Sequence, residues 1–163
     1  MLLGVTTIVG FRISYHLNQR PRHIRQLIDG LTILEAEMLY SQLSLQEAFF
    51  LVSRRLQEPT KSFFQQLSHE LLKENINFIE QWNNQLEHFM YTSYLDDIDR
   101  EILQQFGQTL GQHDYNQQEK NIHLTIKYLE TQRDEALNQA SQYGNMVKSL
   151  GFLLGLFIIL LLI

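Results

Sequence analysis

His113 and Asp114 stand side by side in this 163-residue sequence, and both side chains can ligate a metal ion. Helical metal-dependent phosphohydrolases use such a pair together with a further histidine and a later aspartate. His69 or His88 together with Asp134 would complete that set. This chemistry requires all the ligands to converge on one metal, but the spacing is not diagnostic and Asp114 has the position of a helix cap. We therefore keep a membrane-tethered phosphohydrolase of this kind only as an alternative to a protein without catalytic activity.

The other titratable pairs have the spacing of neighbours on one helix face. Glu119 and His123 are four residues apart, as are Glu70 and Glu74, and we interpret each pair as part of a solvated surface. The sequence contains neither a glycine-rich phosphate loop nor a nucleophile motif. It has no cysteine and hence no thiolate ligand. We therefore expect no enzyme activity, no catalytic or metal site and no cofactor.

Glu35 and Glu37 are two residues apart, so on a helix they point to different sides and one of them faces the interior or a partner. Together with Glu47, they are the predicted partner-binding residues, on the surface of the first two helices. The single tryptophan, Trp82, is predicted to pack in the core.

Charge is unevenly distributed along the chain. Residues 1–28 contain four arginines and no acidic residue, although the whole chain has a net charge of −5. The remainder is therefore strongly acidic, which disfavours binding to the phosphate backbone of nucleic acids. We expect no nucleic-acid partner.

The elements that position these residues are predicted to be helices, because apolar residues recur at steps of three and four along most of the chain. Pro21 suits the first turn of a helix, and this helix is predicted to end near Tyr40. Ser44 and Glu47 have the spacing of a capping box at the start of the next helix.

Further helix boundaries are predicted from residues with capping or turn chemistry. Thr60, Ser93 and Asp114 are predicted to cap the third, fifth and last helices. Gly107 and Gly111 are assigned to the turn before the last helix. Short connections favour antiparallel neighbours. The predicted fold class is all-α, a compact bundle of about six antiparallel helices.

Both ends of the chain are apolar. Residues 150–163 contain no polar or charged side chain, and the apolar stripe of the last helix runs directly into them. Residues 1–19 are mostly apolar but are interrupted by Arg12. We predict a short N-terminal transmembrane anchor over 1–19, a helical bundle over 20–149, and a C-terminal anchor over 150–163 that continues the last helix.

Basic residues lie beside both apolar ends, where the positive-inside rule places the cytoplasmic flank. The predicted flanking residues are Arg20, Arg22, Arg25 and Lys148. The bundle is thus predicted to be cytoplasmic, with both termini across the membrane. Gly151 and Gly155 have small-xxx-small spacing and are predicted to pack against another membrane helix.

Five short motifs follow one another across nearly the whole chain. They are Arg20-Pro21-Arg22 with Gln26-Leu27, Leu34-Glu35-x-Glu37-Met38-x-Tyr40, Leu45-x-Glu47-Ala48, Phe106-Gly107-x-x-Leu110-Gly111-x-x-Asp114, and Tyr143-x-x-Met146-x-x-Ser149-Leu150-Gly151-Phe152, which leads to Gly155. In this order they resemble the stage III sporulation protein AB family of endospore-forming Firmicutes.

The resemblance implies a protein of the mother-cell membrane around the forespore. The family's cytoplasmic domain is similar to the six-helix domains of type II secretion and type IV pilus platform proteins, which position a hexameric secretion-type ATPase and have no catalysis of their own. The implied partners are therefore a cytoplasmic secretion-type ATPase and the other membrane subunits of an assembly linking mother cell and forespore, and a homo-oligomer is compatible with this role. We predict a platform subunit of that assembly. A second alternative is a generic membrane coiled-coil protein that self-assembles through the stripe over 122–150.

Overall fold

The structure is a computed structural model that describes the backbone of residues 2–73, 75–110 and 115–162. Side chains are described for residues 18–73, 75–110 and 117–144, and for Met146 and Leu150. Within these ranges the chain forms six helices and no strand, which confirms the predicted all-α class. The helices are α1 (Leu2–Leu39), α2 (Leu45–Arg55), α3 (Thr60–Glu70), α4 (Phe78–Thr92), α5 (Asp97–Thr109) and α6 (Tyr115–Leu162).

The two long helices, α1 and α6, pack side by side and run antiparallel. Arg20 near the middle of α1 contacts Gln132 of α6, whereas Glu35 near the end of α1 contacts His123, closer to the start of α6. The four shorter helices form a chain of neighbours around this pair. α2 and α3 pack on each other and against α1, α4 joins α3 to α5, and α5 packs against α6.

The core is built from one face of each helix. On α1 the fully buried residues recur every three or four positions, which is the period of a single helix face; they are Ile24, Leu27, Leu31 and Leu34. An aromatic cluster fills the space between the short helices, and each ring centroid lies within about 6 Å of that of a neighbouring ring. Its members are Phe49, Phe63, Phe64, Phe89, Phe106 and Trp82.

Trp82 is 1% exposed, which confirms its predicted place in the core. Its indole Nε1 donates a hydrogen bond of 2.9 Å to the backbone carbonyl of Leu103. Gly107 lies beside the same ring: a Cβ added there would lie 2.1 Å from Trp82 Cδ1. The assignment of Gly107 to a turn was therefore wrong, because this glycine lies within α5 and makes room for the indole. Gly111 lies outside the described residues.

The capping box predicted at the start of α2 is confirmed. The Ser44 hydroxyl accepts from the amide of Glu47, and the Glu47 carboxylate accepts from the amide of Ser44 at 3.2 Å. Two amides that the helix itself leaves unpaired are satisfied in this way.

Thr60 does not cap α3, so that prediction was wrong. Pro59 occupies the N-cap position, which places Thr60 one residue inside the helix, where its side chain is fully buried. Glu58 supplies the missing acceptor, because its carboxylate accepts from the Ser62 amide at 3.2 Å and from the Ser62 hydroxyl at 2.6 Å.

Ser93 does not cap α5 either; it ends α4 instead. The N-cap is Asp96, whose carboxylate accepts from two amides of the first turn, and Asp99 completes a capping box. Leu95, between the two helices, is buried, and α5 begins after Asp96, where the two carboxylates cap it. The cap predicted at Asp114 lies outside the described residues.

Pro21 lies inside α1 rather than at a helix start, so that boundary was also wrong. A proline has no amide hydrogen, and α1 therefore lacks one intrahelical hydrogen bond at this position. Pro21 and its neighbours His23 and Ile24 are all buried against the bundle. This packing stabilises α1 at the position where the intrahelical hydrogen bond is missing.

Among the described residues, no helix combines the length and the apolar character needed to cross a membrane. The side chains predicted to form the anchors at 1–19 and 150–163 lie almost entirely outside the described set, as do Lys148, Gly151 and Gly155.

Candidate functional site

Arg20 lies where α1, α5 and α6 meet. Its guanidinium donates two hydrogen bonds to the Asp99 carboxylate, from Nε at 2.9 Å and from Nη2 at 3.1 Å. Nη2 also donates to Gln132 Oε1 at 3.0 Å and lies 2.7 Å from Asp96 Oδ2. Because the planar guanidinium matches a carboxylate in this two-bond geometry, the contact fixes the relative orientation of the two side chains as well as their distance.

The ion pair is buried, since Arg20 is 8% exposed and Asp99 is fully buried. Burial lowers the pKa of Arg20, but the hydrogen bonds and charges of Asp99 and Asp96 outweigh it and the pKa is raised. Burial raises the pKa of Asp99, against the opposing effect of Arg20. The charge of Arg20 is therefore neutralised within the bundle. Arg22 and Arg25, the other two basic residues predicted beside the N-terminal anchor, are exposed.

His23 is the next buried polar residue on α1 and connects this helix to the segment between α4 and α5. Its Nδ1 accepts a hydrogen bond of 3.1 Å from the backbone amide of Tyr94, and the two rings are in contact. Burial lowers the pKa of His23, and the charge of Arg22 lowers it further. A nitrogen that accepts a hydrogen bond carries no proton, so the geometry agrees with a neutral imidazole.

The three acidic residues predicted to bind a partner lie in three different settings. Glu35 faces α6, where its Oε1 is 3.1 Å from His123 Nδ1. Glu37 accepts from the Ser41 hydroxyl at 3.0 Å and lies 3.8 Å from Arg55 of α2.

Glu47 is exposed and takes part in the capping box of α2. Glu35 therefore lies apart from the other two acids, on the side of α1 that packs against α6. Partner binding by these residues stays a prediction.

Glu119 and His123 are exposed, as predicted for a solvated face, but they do not stand alone. Glu35 joins them across the α1–α6 contact, and one ligand atom of each residue lies within 4.8 Å of the others. Burial raises the pKa of Glu35, His123 lowers it and the neighbouring charge of Glu119 raises it again. The spacing in the sequence placed Glu119 and His123 together on α6. The third residue, Glu35, lies 88 positions before His123 in the sequence and belongs to α1.

The set of ligands considered for a phosphohydrolase is not assembled within the described part of the chain. The group of residues there that can hold a metal is Glu35, Glu119 and His123. His69 is exposed on α3, His88 is exposed on α4, and Asp134 is paired with Arg133 at 2.9 Å. His113 and Asp114 lie outside the described residues.

A groove of 580 Å³ runs between α3 and α4 and was not anticipated from the sequence. Phe63 and Phe89 contribute apolar lining, and Gln66, Gln85 and His88 contribute polar lining. The sequence could not predict this groove, because its lining residues form no motif and the space between them depends on how the two helices are placed in the fold.

The apolar stripe of α6 is largely used within the bundle. Ile122, Leu129 and Ala136 are all buried, and Ala140 and Tyr143 are half-buried. Over 122–136 the stripe therefore packs against the chain's own helices. This part of the stripe is not available for the coiled-coil self-assembly considered as an alternative.

The model of the family described as stage III sporulation protein AB matches residues 1–163. The chain belongs to the stage III sporulation protein AB family. A protein of that name from Bacillus subtilis (strain 168) is 37% identical over 161 residues, which cover 99% of this chain and 94% of that protein. A solved structure of stage III sporulation protein AB (SpoIIIAB) is 34% identical, with a TM-score of 0.71, over 76% of this chain and 97% of the solved chain.

Membership of the stage III sporulation protein AB family confirms the resemblance inferred from the short motifs. Residues of two of those motifs contribute directly to the packing of the bundle. Arg20 of the first motif forms the buried ion pair with Asp99, and Gly107 of the fourth makes room for Trp82. In this family member, both motifs therefore hold the bundle together.

Proposed function

We propose that the chain is a membrane-anchored platform subunit of a secretion-like sporulation assembly between mother cell and forespore, and that it docks a cytoplasmic secretion-type ATPase. Membership of the stage III sporulation protein AB family over the whole chain is the observation that carries this proposal. A helical bundle whose polar groups serve its own packing, as Arg20 and His23 do, suits a platform better than an enzyme.

Anchoring in the mother-cell membrane is part of the proposal. Its support is the apolar segment 150–163 together with the continuity of α6, which runs as one helix from Tyr115 to Leu162. A continuous helix has no hinge and would transmit the position of the bundle rigidly to the membrane. The exposed charges of Arg22 and Arg25 suit a cytoplasmic flank for the N-terminal segment.

The outer face of α2 is the surface that we assign to the ATPase. Glu47, Phe50 and Arg54 recur at steps of three and four, so they share one helix face, and all three are exposed. Phe50 leaves 46% of its surface in solvent. An exposed aromatic side chain between two charges is typical of the residues that dominate binding at protein interfaces.

The test is recovery of the partner from membranes of sporulating cells with the tagged full-length chain, read by mass spectrometry. We expect the wild type to recover a secretion-type ATPase and Phe50→Ser to lose it. Tyr91→Ser is the matched control, because Tyr91 is an 88% exposed aromatic residue on α4, and it should behave as the wild type.

Absence of any ATPase from the wild-type sample would contradict the platform proposal. Equal recovery by wild type and Phe50→Ser would place the docking surface elsewhere. In that case Glu37→Lys, with Arg55 as its neighbour at 3.8 Å, tests the predicted contact at the end of α1.

A further inference from the structure

We propose that Glu35, Glu119 and His123 form a zinc-binding site on the surface where α1 meets α6. The inference is independent of the platform function, because it depends on the contact between these two helices and requires no partner protein. The site would join the last turns of α1 to the first turns of α6.

The distances suit a single small cation. His123 Nδ1 and Glu35 Oε1 are 3.1 Å apart, and a ligand atom of Glu119 lies within 4.8 Å of both. Two ligands that each lie about 2.0–2.1 Å from a tetrahedral zinc ion are about 3.3–3.4 Å from each other. The pair of His123 and Glu35 needs to separate by only a few tenths of an ångström to accept the ion, and the exposed Glu119 side chain, within 4.8 Å of both, can turn towards it.

The donor types also suit zinc. Zinc binds imidazole nitrogen and carboxylate oxygen, and three protein ligands with a water molecule in the fourth position are a common arrangement. Glu119 and His123 are one helical turn apart on α6, so they present their side chains to the same point. The chain has no cysteine that could compete for the metal.

The helices hold the ligands in place. Leu34 and Ile122, the residues next to Glu35 and His123, are both fully buried. Ligands carried on packed helices lose little freedom when a metal binds. Meanwhile His123 and Glu119 are exposed, which leaves the site open to ions from solvent.

Electrostatics favour a cation at this point. The Glu35 side chain is only 14% exposed and lies beside a second carboxylate, so bringing the two negative charges together is costly without a positive charge between them. A divalent cation bound among the three side chains would supply that charge.

The experiment is isothermal titration calorimetry of the purified full-length chain in mild detergent with zinc chloride at about pH 8. We expect one zinc ion per chain, and binding weaker by at least about tenfold in His123→Gln and in Glu35→Gln. His69→Gln is the matched control, because His69 is exposed on α3 outside the cluster, and it should bind as the wild type. X-ray absorption of the zinc complex should show a shell of nitrogen and oxygen.

Two results would overturn the proposal. One is the absence of saturable zinc binding by the wild type. The other is equal binding by the wild type and His123→Gln, which would mean that zinc associates with other histidines of the chain. If circular dichroism shows that Glu35→Gln does not fold, Glu119→Gln replaces it, since Glu119 is exposed and its loss removes a ligand without disturbing the core.

Discussion

His23 and Trp82 each join segments of the bundle that are separated in the sequence. His23 accepts from the amide of Tyr94, 71 residues away, and Trp82 donates to the carbonyl of Leu103. A buried polar group without a partner costs about 1–3 kcal/mol. These contacts therefore favour one arrangement of the helices over others that would bury the same apolar surface.

At this scale, His23 predicts how stability depends on pH. Burial holds the pKa of folded His23 below its ordinary value of 6.5, so the unfolded chain binds more protons as the pH falls through that value. His23 therefore stabilises the fold above about pH 6.5, and this contribution is lost as the pH falls towards the lower pKa of the folded state. We expect a loss of up to about 1.4 kcal/mol per pH unit.

Urea unfolding between about pH 7.5 and pH 5 measures this effect. The decline should be smaller in His23→Gln than in the wild type, and unchanged in His69→Gln, whose histidine is exposed. A decline of the same slope in His23→Gln would show that other groups cause it.

Pairs of helices are joined both by apolar faces and by specific polar contacts. Apolar contact between two helices is non-directional, so it tolerates small shifts in the position of one helix against the other. The bidentate contact between Arg20 and Asp99 tolerates much less, because both hydrogen bonds require the same orientation. Asp99 also accepts from the amide of Asp96 at 3.0 Å, so one carboxylate caps α5 and ties it to α1.

At the scale of elements, we predict that Arg20→Met destabilises the chain by about 3–5 kcal/mol, because it leaves the Asp99 carboxylate buried without its partner. Adding Asp99→Asn should recover part of this loss, since the neutral amide can still accept from the Asp96 amide. Arg22→Met is the matched control: Arg22 is exposed, and we expect a change within about 0.5 kcal/mol.

Chemical unfolding of the four proteins provides the measurement. A single Arg20→Met variant as stable as the wild type would contradict the assigned role of the pair. A double variant no more stable than Arg20→Met would show that the lost free energy comes from packing of the arginine stem rather than from the unpaired charge.

The described residues form a helical bundle whose first and last helices, α1 and α6, extend into the apolar ends of the sequence. Because α1 and α6 are antiparallel neighbours, the two apolar ends emerge at the same end of the bundle. That arrangement suits the proposed topology, in which both termini cross one membrane and the bundle remains on one side of it.

The absence of cysteine from the sequence allows this topology to be tested with single introduced thiols. In intact cells that express the chain in the plasma membrane, a membrane-impermeant maleimide should label Ile163→Cys and should not label Arg54→Cys, whose position is exposed on α2. After lysis both should react. Labelling of Arg54→Cys in intact cells, or protection of Ile163→Cys, would contradict a cytoplasmic bundle with its C-terminus across the membrane.

Features that depend on neighbours in the chain were largely predicted correctly. The helical class follows from the three-and-four spacing of apolar residues, and the start of α2 follows from Ser44 and Glu47, because a capping box involves four consecutive residues. The boundaries at Pro21, Thr60 and Ser93 were wrong. At Thr60 and Ser93, side chains near the expected cap are buried, namely Thr60 and Leu95, and burial depends on the rest of the molecule.

The sequence by itself determined the helical class, the family and the apolar character of both ends, since these depend on residue type and local spacing. The tertiary structure decided what the charged residues do. Arg20 resembles a membrane-flanking charge until Asp99, 79 residues away, is seen to bind it, and Glu35 resembles a surface acid until α6 brings Glu119 and His123 beside it. The physical reason is that the energy of a charge depends on its solvation and on the opposite charges nearby, and folding sets both.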